Sequence, residues 1–578
     1  MAAYHASQCM REHAWEAEST MALDALVVGA GPVGLAMASE LRRHGLSCRI
    51  IDKGDAPSIW SKAQVVHART LECLQDMGLI DAVMAKGRIV AGSRIMTPEL
   101  KAIARVELGN IDSPFPYFLS LSQRDTEIIL AEHLEKTHGV RIERNVTLES
   151  FTQDAEGVHA KLVHLDGSTE EVHVPWLLGC DGSHSTVRKT LALPFEGSTY
   201  EQRIMQADVH VDFPHAVHDD EIAIFLGPDG MLGFFPLPGE HRYRMLTFVE
   251  PSDERPVELE TFKALMAERG PKGAEVSDPA WMVDFRIHCR LVARYRVGRV
   301  FLSGDAAHIH SPAGGQGMNM GIQDAYNLAW KLALVQRGKA KDSILDSYEA
   351  ERRPVAEAVL RATDASTKGF ATAVNLKNPV AIGVRNHLMS FITSLDVVKH
   401  RTGRSMSQIE IGYPKSPIVG QDQVSLWSVG RGGSDEHPGL SDWMHFGDGP
   451  APGTRAPDMP VGEKTIFDIL CGPRHTLFCF DGAAATEEGY QRLSRIITLA
   501  KTRLGDDLQA FVVVPSVTRP EALSADVPVL LDAEGEMHRR FGARSECLYL
   551  VRPDGYVGYR CQPADEHRFG AYLDRLFV

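Results

Sequence analysis

The sequence predicts an α/β protein in which a dinucleotide-binding core is interleaved with a mixed-sheet domain and followed by a smaller C-terminal α/β unit. Three observations carry the prediction. A short apolar run, Ala25 to Val28, leads directly into Gly29-Ala30-Gly31-Pro32-Val33-Gly34. Two later apolar runs, Trp176 to Leu178 and Arg299 to Ser303, end in Gly/Asp turns at Gly179-Cys180-Asp181-Gly182 and Gly304-Asp305. Beyond a Pro/Gly-rich stretch from Asp448 to Asp458, strand and helix patterns alternate again.

The folded part is expected to start at Leu23. After the Gly-rich turn, Leu35 to His44 has helical spacing, Gly45 can end that helix in a left-handed conformation, and the strand Ser47 to Ile51 closes on Asp52. Each part has a physical role. Gly29 permits the tight turn, Gly31 lets a pyrophosphate reach the backbone, and Gly34 lets helix and strand pack closely, with Pro32 opening the helix. The free N–H groups of the helix start attract phosphate. Asp52 lies 18 residues after Gly34, where a strand-end carboxylate can accept hydrogen bonds from ribose hydroxyls; Lys53 follows it. This motif alone does not choose between NAD and FAD.

With 578 residues, one large composite domain and one small one are expected. The formal charge of -15 and the absence of a long Lys/Arg run argue against a nucleic-acid surface. Nine cysteines are scattered without a CxxC pair or zinc spacing, which predicts reduced thiols, no disulfide and no metal. His5, Arg11, Glu12 and His13 interrupt any signal-peptide core, so residues 1–22 read as a disordered tail. No apolar run is long enough to span a membrane, and the expected compartment is the cytoplasm.

The second motif, Trp176 to Arg188, is an apolar strand running into a polar turn and a basic helix start; read locally, Asp181 makes an Asx turn. The third is more specific. Gly304-Asp305-Ala306-Ala307-His308 continues through Pro312, Gly314, Gly315, Gly317 and Gly321 into a long helix, and bare backbone feeding a helix start makes a cradle for an anion or a heteroaromatic ring.

These three segments, in this order and spacing, resemble those of the class A flavoprotein monooxygenases, the single-component aromatic hydroxylases, over residues 23 to 365. The resemblance implies a Rossmann-like FAD-binding domain at 23–195 and 285–405, with 90–120 shared with a substrate-binding sheet domain at 196–284. It implies FAD as cofactor, NADPH or NADH as co-substrate, and hydroxylation of a phenolic or polycyclic ring by dioxygen through a flavin C4a-hydroperoxide. Carried over, the first motif holds the ADP half, and Asp181 and Gly182 lie near the flavin and the nicotinamide pyrophosphate. Gly304 and Asp305 bind the ribityl chain, while Pro312, Gly315, Gly317, Met318 and Asn319 line the flavin ring. Lys62 and Ala63 resemble the family's basic residue and alanine beside FAD, followed by Arg69-Thr70-Leu71-Glu72. Gln123 resembles a family flavin contact. For Lys62 and Arg69 a solvated helix face is the alternative.

Strands at Gln206 to His210, Glu221 to Leu226, Gly233 to Leu237 and Tyr243 to Val249 suggest a substrate chamber, with Phe225, Phe234 and Pro236 as wall candidates. Residues 406–458 read as a connector and 459–578 as the thioredoxin-like domain that the phenol and polyketide hydroxylases carry, here without CxxC and so suited to packing or homodimer support. Simple phenol hydroxylases of the family place an aspartate just before the RTLE helix, whereas Gln64-Val65-Val66-His67 has none. This points to a substituted or multi-ring phenol rather than phenol itself. His67 and His288 are the catalytic-base candidates. Baeyer-Villiger insertion or epoxidation on the same frame, and a non-catalytic FAD-fold binding protein, are the alternatives.

Overall fold

The computed structural model describes residues 23–578 apart from 59–62, 110, 214–216, 218, 312–313, 375–377, 379–381, 387, 389–402, 424–439 and 483–485. The expected tail 1–22, Lys62 and Pro312 lie outside the described residues.

Ala25–Val28 is strand β1 and Pro32–Arg43 helix α1. Proline suits the first turn because its fixed φ is already helical and its missing N–H would have no partner there. Cys48–Asp52 is β2, Val65–Val66 β3, Ala68–Asp76 α2 and Phe118–Ser120 β4. Trp176–Gly179 is β5, Val300–Leu302 β6, and the long helices Gly317–Gln336 and Asp346–Val374 are α3 and α4.

The first sheet runs in the order Arg296–Val297, β6, β5, β1, β2, Ile142–Arg144, and all but its first pairing are parallel. The three apolar runs of the sequence, hundreds of residues apart, are thus neighbours in its middle. Strands covered on both faces show no polar alternation, which is why β1, β5 and β6 are buried at every position. Their C-terminal ends deliver the three Gly-bearing turns to one edge of the sheet.

The second sheet has eight strands, in the order His308–Ile309, Glu275–Val292, Phe195–Asp212, Arg242–Val249, Gly230–Pro236, Glu221–Gly227, Gly92–Met96, Ala102–Glu107. On one face Phe225, Leu232, Phe234 and Met245 pack with Phe262, Leu265 and Met266 of the helix Leu259–Arg269. Ile222, Ile224 and Phe235 instead join Val65, Val90 and Phe118 of the small sheet β3, β4, Arg88–Val90.

The C-terminal sheet runs Gly420–Gln423, Val557–Gln562, Cys547–Val551, His475–Phe480, Leu508–Val514, Val529–Leu531. Two pieces of the expected connector 406–458 belong to this unit. Gly420–Gln423 is its edge strand, and Phe446 of the helix Leu440–Asp448 sits in its core. The edge strand is short and polar, so it left no period-2 signal in the sequence.

Buried charges join this unit to the rest. Arg552 donates to both oxygens of Glu351 at 2.6 and 3.0 Å, and Lys331 Nζ reaches Glu351 at 2.8 Å. Arg455 holds Glu72 at 2.7 and 2.8 Å. Such clusters contribute little net stability when complete but are costly to break, because removing one partner strands a charge in a dry interior.

Candidate cofactor cradle and substrate cleft

Two glycines of the first turn are required by packing. A Cβ on Gly29 (φ +102°) would lie 2.5 Å from the Cys180 carbonyl oxygen, and one on Gly34 would lie 1.8 Å from that of Gly29. Gly31 differs: its backbone is extended, and a Cβ there would meet nothing within 4 Å. It stands at the start of α1, which has neither a side-chain cap nor an acid in its first turn. Free amides facing open space fit a pyrophosphate, and any side chain on Gly31 would fill that space. Asp52 fixes the turn from below, accepting from Ala30 N at 2.6 Å and Gly54 N at 2.7 Å. Lys53 beside it is exposed.

The first and third motifs meet at Val33. A Cβ on Gly304 (φ +59°) would stand 2.7 Å from Val33 Cγ2, and one on Gly321 2.4 Å from the same methyl. Gly304 N donates to Asp324 at 3.1 Å, and the same buried carboxylate accepts from His308 Nε2 at 2.8 Å and Arg352 Nε at 2.7 Å. Burial pushes the Asp324 carboxyl up, but Arg352 and His308 outweigh it and leave it below the usual range. Arg188 ties the second motif to the third, donating to Ser183 O at 2.8 Å and Ala306 O at 3.1 Å. Asp305 is exposed in the turn Gly304–Ala306.

Asp181 makes the Asx turn that its local sequence suggests. Its carboxylate accepts from Ser185 Oγ at 2.5 Å, Thr186 N at 2.6 Å and Val187 N at 3.2 Å, capping the short helix Thr186–Thr190, so the side chain serves the turn. Gly182 (φ +75°) is left with open space beside it.

Around the third motif, His67 Nε2 meets Gly314 O at 2.8 Å, and His67 N donates to Asn319 Oδ1 at 2.9 Å. Asn319 Nδ2 donates to Val65 O and Gly315 O, both at 2.7 Å. Gly315 (φ +64°) has no room for a side chain, since a Cβ would lie 2.9 Å from Val65 Cβ. Gly317 opens α3, again without a side-chain cap, and Met318 is half-buried beside it. Ala63 and Gln123 are paired through Gln123 N to Ala63 O at 2.9 Å, while Gln123 Nε2 donates to Glu127 at 2.9 Å.

Beyond Val65 lies a small cleft of about 10 Å³ free volume, lined by Gln64, Val65, Val90, Phe118, Ser120, Ile222, Phe235 and Pro236. Pro236 is among its lining residues. Phe225 and Phe234 are not: strand alternation sends them to the opposite face, against the helix Leu259–Arg269. Arg69 is not on a solvated helix face. It is buried, donating to Glu72 at 2.9 Å and to Asp554 O at 2.7 Å. His288 is exposed and bonded to Thr199 Oγ1 at 2.8 Å. Burial lowers His67 to about 4, so its ring is neutral and its Nε2–H holds the loop.

Sequence reasoning missed Gln64 and Ser120 as cleft residues and the Asp324, His308, Arg352 group beneath the cradle. Asp324 left one signal, as the only acid in α3. Among the described residues, one group of metal-type donors, His210, Asp212 and His241, lies on the eight-stranded sheet and shares no residue with the cradle or the cleft. No described helix is long and apolar enough to cross a membrane.

The model of the FAD binding domain family matches residues 22–363. A 6-methylpretetramide 4-monooxygenase of Streptomyces rimosus is 34% identical, covering 96% of this chain and 93% of its own. A pentachlorophenol 4-monooxygenase of Sphingobium chlorophenolicum is 31% identical, covering 93% of each chain. Among solved structures, an anhydrotetracycline hydroxylase from Streptomyces rimosus superposes with a TM-score of 0.68 at 29% identity, covering 94% of this chain and 96% of the other.

Proposed function

The chain belongs to the FAD binding domain family and is a flavin-dependent monooxygenase; from that premise we propose that it hydroxylates a substituted or polycyclic phenol, consuming NADPH or NADH and dioxygen. Bound FAD would supply hydride acceptance from the nicotinamide and activation of dioxygen, one oxygen of which would enter an electron-rich ring while the other would leave as water. The observation that carries the reading is the packing of Val65 on Gly315: one wall of the cleft rests directly on the loop expected to shelter the flavin ring.

The chain's own contribution is binding, orientation and exclusion of water. Gly31 and the start of α1 hold the pyrophosphate, and Asp52 the ribose. Gly304 and Asp305 would hold the ribityl chain, and Gly315 to Asn319, Ala63 and Gln123 the ring. Val90, Phe118, Ile222, Phe235 and Pro236 keep the cleft dry. His67 acts by holding Gly314 in place rather than by taking a proton. Residues 459–578 serve as a thioredoxin-like brace, a role supported by the buried contacts of Arg552 and Asp554, and the unit is suited to a homodimer. Seven described cysteines are buried thiols, which supports a reducing, cytoplasmic setting.

The test is the visible spectrum of the purified protein, followed by anaerobic addition of NADPH or NADH with a panel of phenols and polycyclic quinols. Bound flavin that bleaches faster in the presence of one compound, with NMR of the product showing a new ring hydroxyl, is the expected result. Protein that takes up no FAD would overturn the reading, and an NMR spectrum showing ring insertion would move it to a Baeyer-Villiger reaction.

A further inference from the structure

We propose that His210, Asp212 and His241 bind one divalent transition-metal ion of zinc type. The strand Phe195–Asp212 carries the first two at alternate positions, so both project from one face of the eight-stranded sheet, opposite to Val209 and Val211 in its buried core. His241 comes from the turn before the strand Arg242–Val249, and its carbonyl oxygen accepts from Val211 N at 2.9 Å, which fixes that turn beside the strand end. One ligand atom from each of the three residues lies within 4.8 Å of the other two. His241 Nδ1 is 3.3 Å and His210 Nδ1 3.7 Å from the Asp212 carboxylate. Both separations are wider than a charge-assisted hydrogen bond of about 2.8 Å. They bracket the roughly 3.4 Å between two ligands of a tetrahedral zinc ion with bonds of about 2.1 Å.

The charge around the three donors favours a cation. Asp212 and Glu275 are direct partners across the strands Phe195–Asp212 and Glu275–Val292, both are exposed, and like charges so placed repel. Among the described residues, neither pairs with a lysine or arginine. Arg242, the cross-strand partner of His210, gives its guanidinium to Asp278 at 2.9 Å, so its charge is matched there. The two imidazoles stand nearly parallel with centres 5.5 Å apart, and their side chains are 31% and 52% exposed, so each ring is free to turn its Nδ1 lone pair toward a shared ion. Two imidazole nitrogens and a carboxylate suit zinc, nickel or copper, whereas magnesium and calcium favour oxygen ligands. The remaining position faces solvent and takes water. The lack of zinc spacing among the cysteines does not bear on this site, because its third donor arrives from a separate turn. A metal here clips the end of one strand to that turn, and the proposal stands apart from the monooxygenase reading because the site shares no residue with the cradle or the cleft.

The experiment frees the FAD-loaded enzyme of metal with a chelator, removes the chelator, and titrates the protein with zinc and separately with magnesium by calorimetry, with melting curves in parallel. The wild type is expected to take up one tightly bound zinc ion per chain, to melt at a higher temperature with zinc than without, and to respond to neither measure with magnesium. His241→Gln and Asp212→Asn should each weaken zinc binding by about tenfold or more, since losing a direct ligand costs at least what losing an outer partner does. Both should abolish the rise in melting temperature and leave the flavin spectrum unchanged. A wild type that binds no zinc overturns the proposal, and needs no variant to fold. So does equal binding of magnesium, and so does zinc binding that survives undiminished in both variants, because the ion then sits on other residues.

Discussion

Arg69 Nη2 donates to the carbonyl oxygen of Asp554 at 2.7 Å, across 485 residues of sequence, and this bond locks helix α2 to the C-terminal hairpin. The guanidinium also pairs with Glu72 at 2.9 Å and lies over the Tyr556 ring at 5.1 Å. A side chain so fully engaged is structural. Arg69→Leu is therefore expected to destabilise the protein by about 3 kcal/mol, the cost of breaking a buried charge pair from one side. FAD content per folded chain should not change. Loss of flavin without loss of thermal stability would return Arg69 to the cofactor site.

The glycines of the first turn separate packing from binding. Gly34→Ala places a methyl 1.8 Å from the Gly29 carbonyl oxygen and should prevent α1 from closing on β1, with a large fall in melting temperature. Gly31→Ala meets nothing, and its backbone is one that alanine adopts freely. It should melt normally without cofactor yet bind FAD at least about tenfold more weakly, as read by fluorescence titration of the apoprotein. Equal FAD affinity in Gly31→Ala and wild type would remove the cradle assignment.

His67 gives a pH prediction with a definite sign. Its imidazole titrates near 6.5 when unfolded and is lowered by burial to about 4 in the fold. Between those values the unfolded chain takes up a proton that the folded chain refuses. The stability tied to neutral His67 is thus complete above about pH 6.5 and is lost as pH falls toward about 4. His67→Gln should make the loss of stability over this interval shallower, by up to about 1.4 kcal/mol per pH unit. Urea unfolding across the interval measures it, and parallel curves for the two proteins would refute the burial of a neutral ring.

What the sequence made legible follows from the range of each signal. The strand, glycine and acid pattern at Ala25 to Asp52 is local, and so are the turns after β5 and β6; each was readable because its constraint acts within a few residues. The wall residues were not. Phe225 and Phe234 have the same composition signal as Phe235, and only the direction of strand pairing assigns them to opposite faces of the sheet. The burial of Arg69 was illegible for a related reason: its partner, Asp554, lies in another unit of the fold. Gln64 carried a signal in the form of a missing aspartate, but its unpaired amide oxygen exists only once β3, β4 and the large sheet enclose it.

Glu351 on α4 gives the last prediction, because the C-terminal unit depends on it. It accepts two hydrogen bonds from Arg552 and one from Lys331, all among buried groups. Burial alone would raise its carboxyl, but Arg552 and Lys331 outweigh this and hold it well below the usual carboxylate range. The sign is opposite to that of a raised carboxyl: its stabilising contribution is present above the unfolded value near 4.5 and is lost as pH falls through the lower folded value. Glu351→Gln keeps the shape but leaves Arg552 and Lys331 without their shared counter-charge; Lys331, already lowered by burial to about 8, should fall further. The expected cost at neutral pH is about 3 kcal/mol, concentrated where the C-terminal unit meets α3 and α4. Limited proteolysis should then cut the variant first near Asp448 to Asp458, while flavin absorbance persists because Glu351 touches no residue of the cradle. A variant that melts and digests like the wild type would show that the brace holds without this charge.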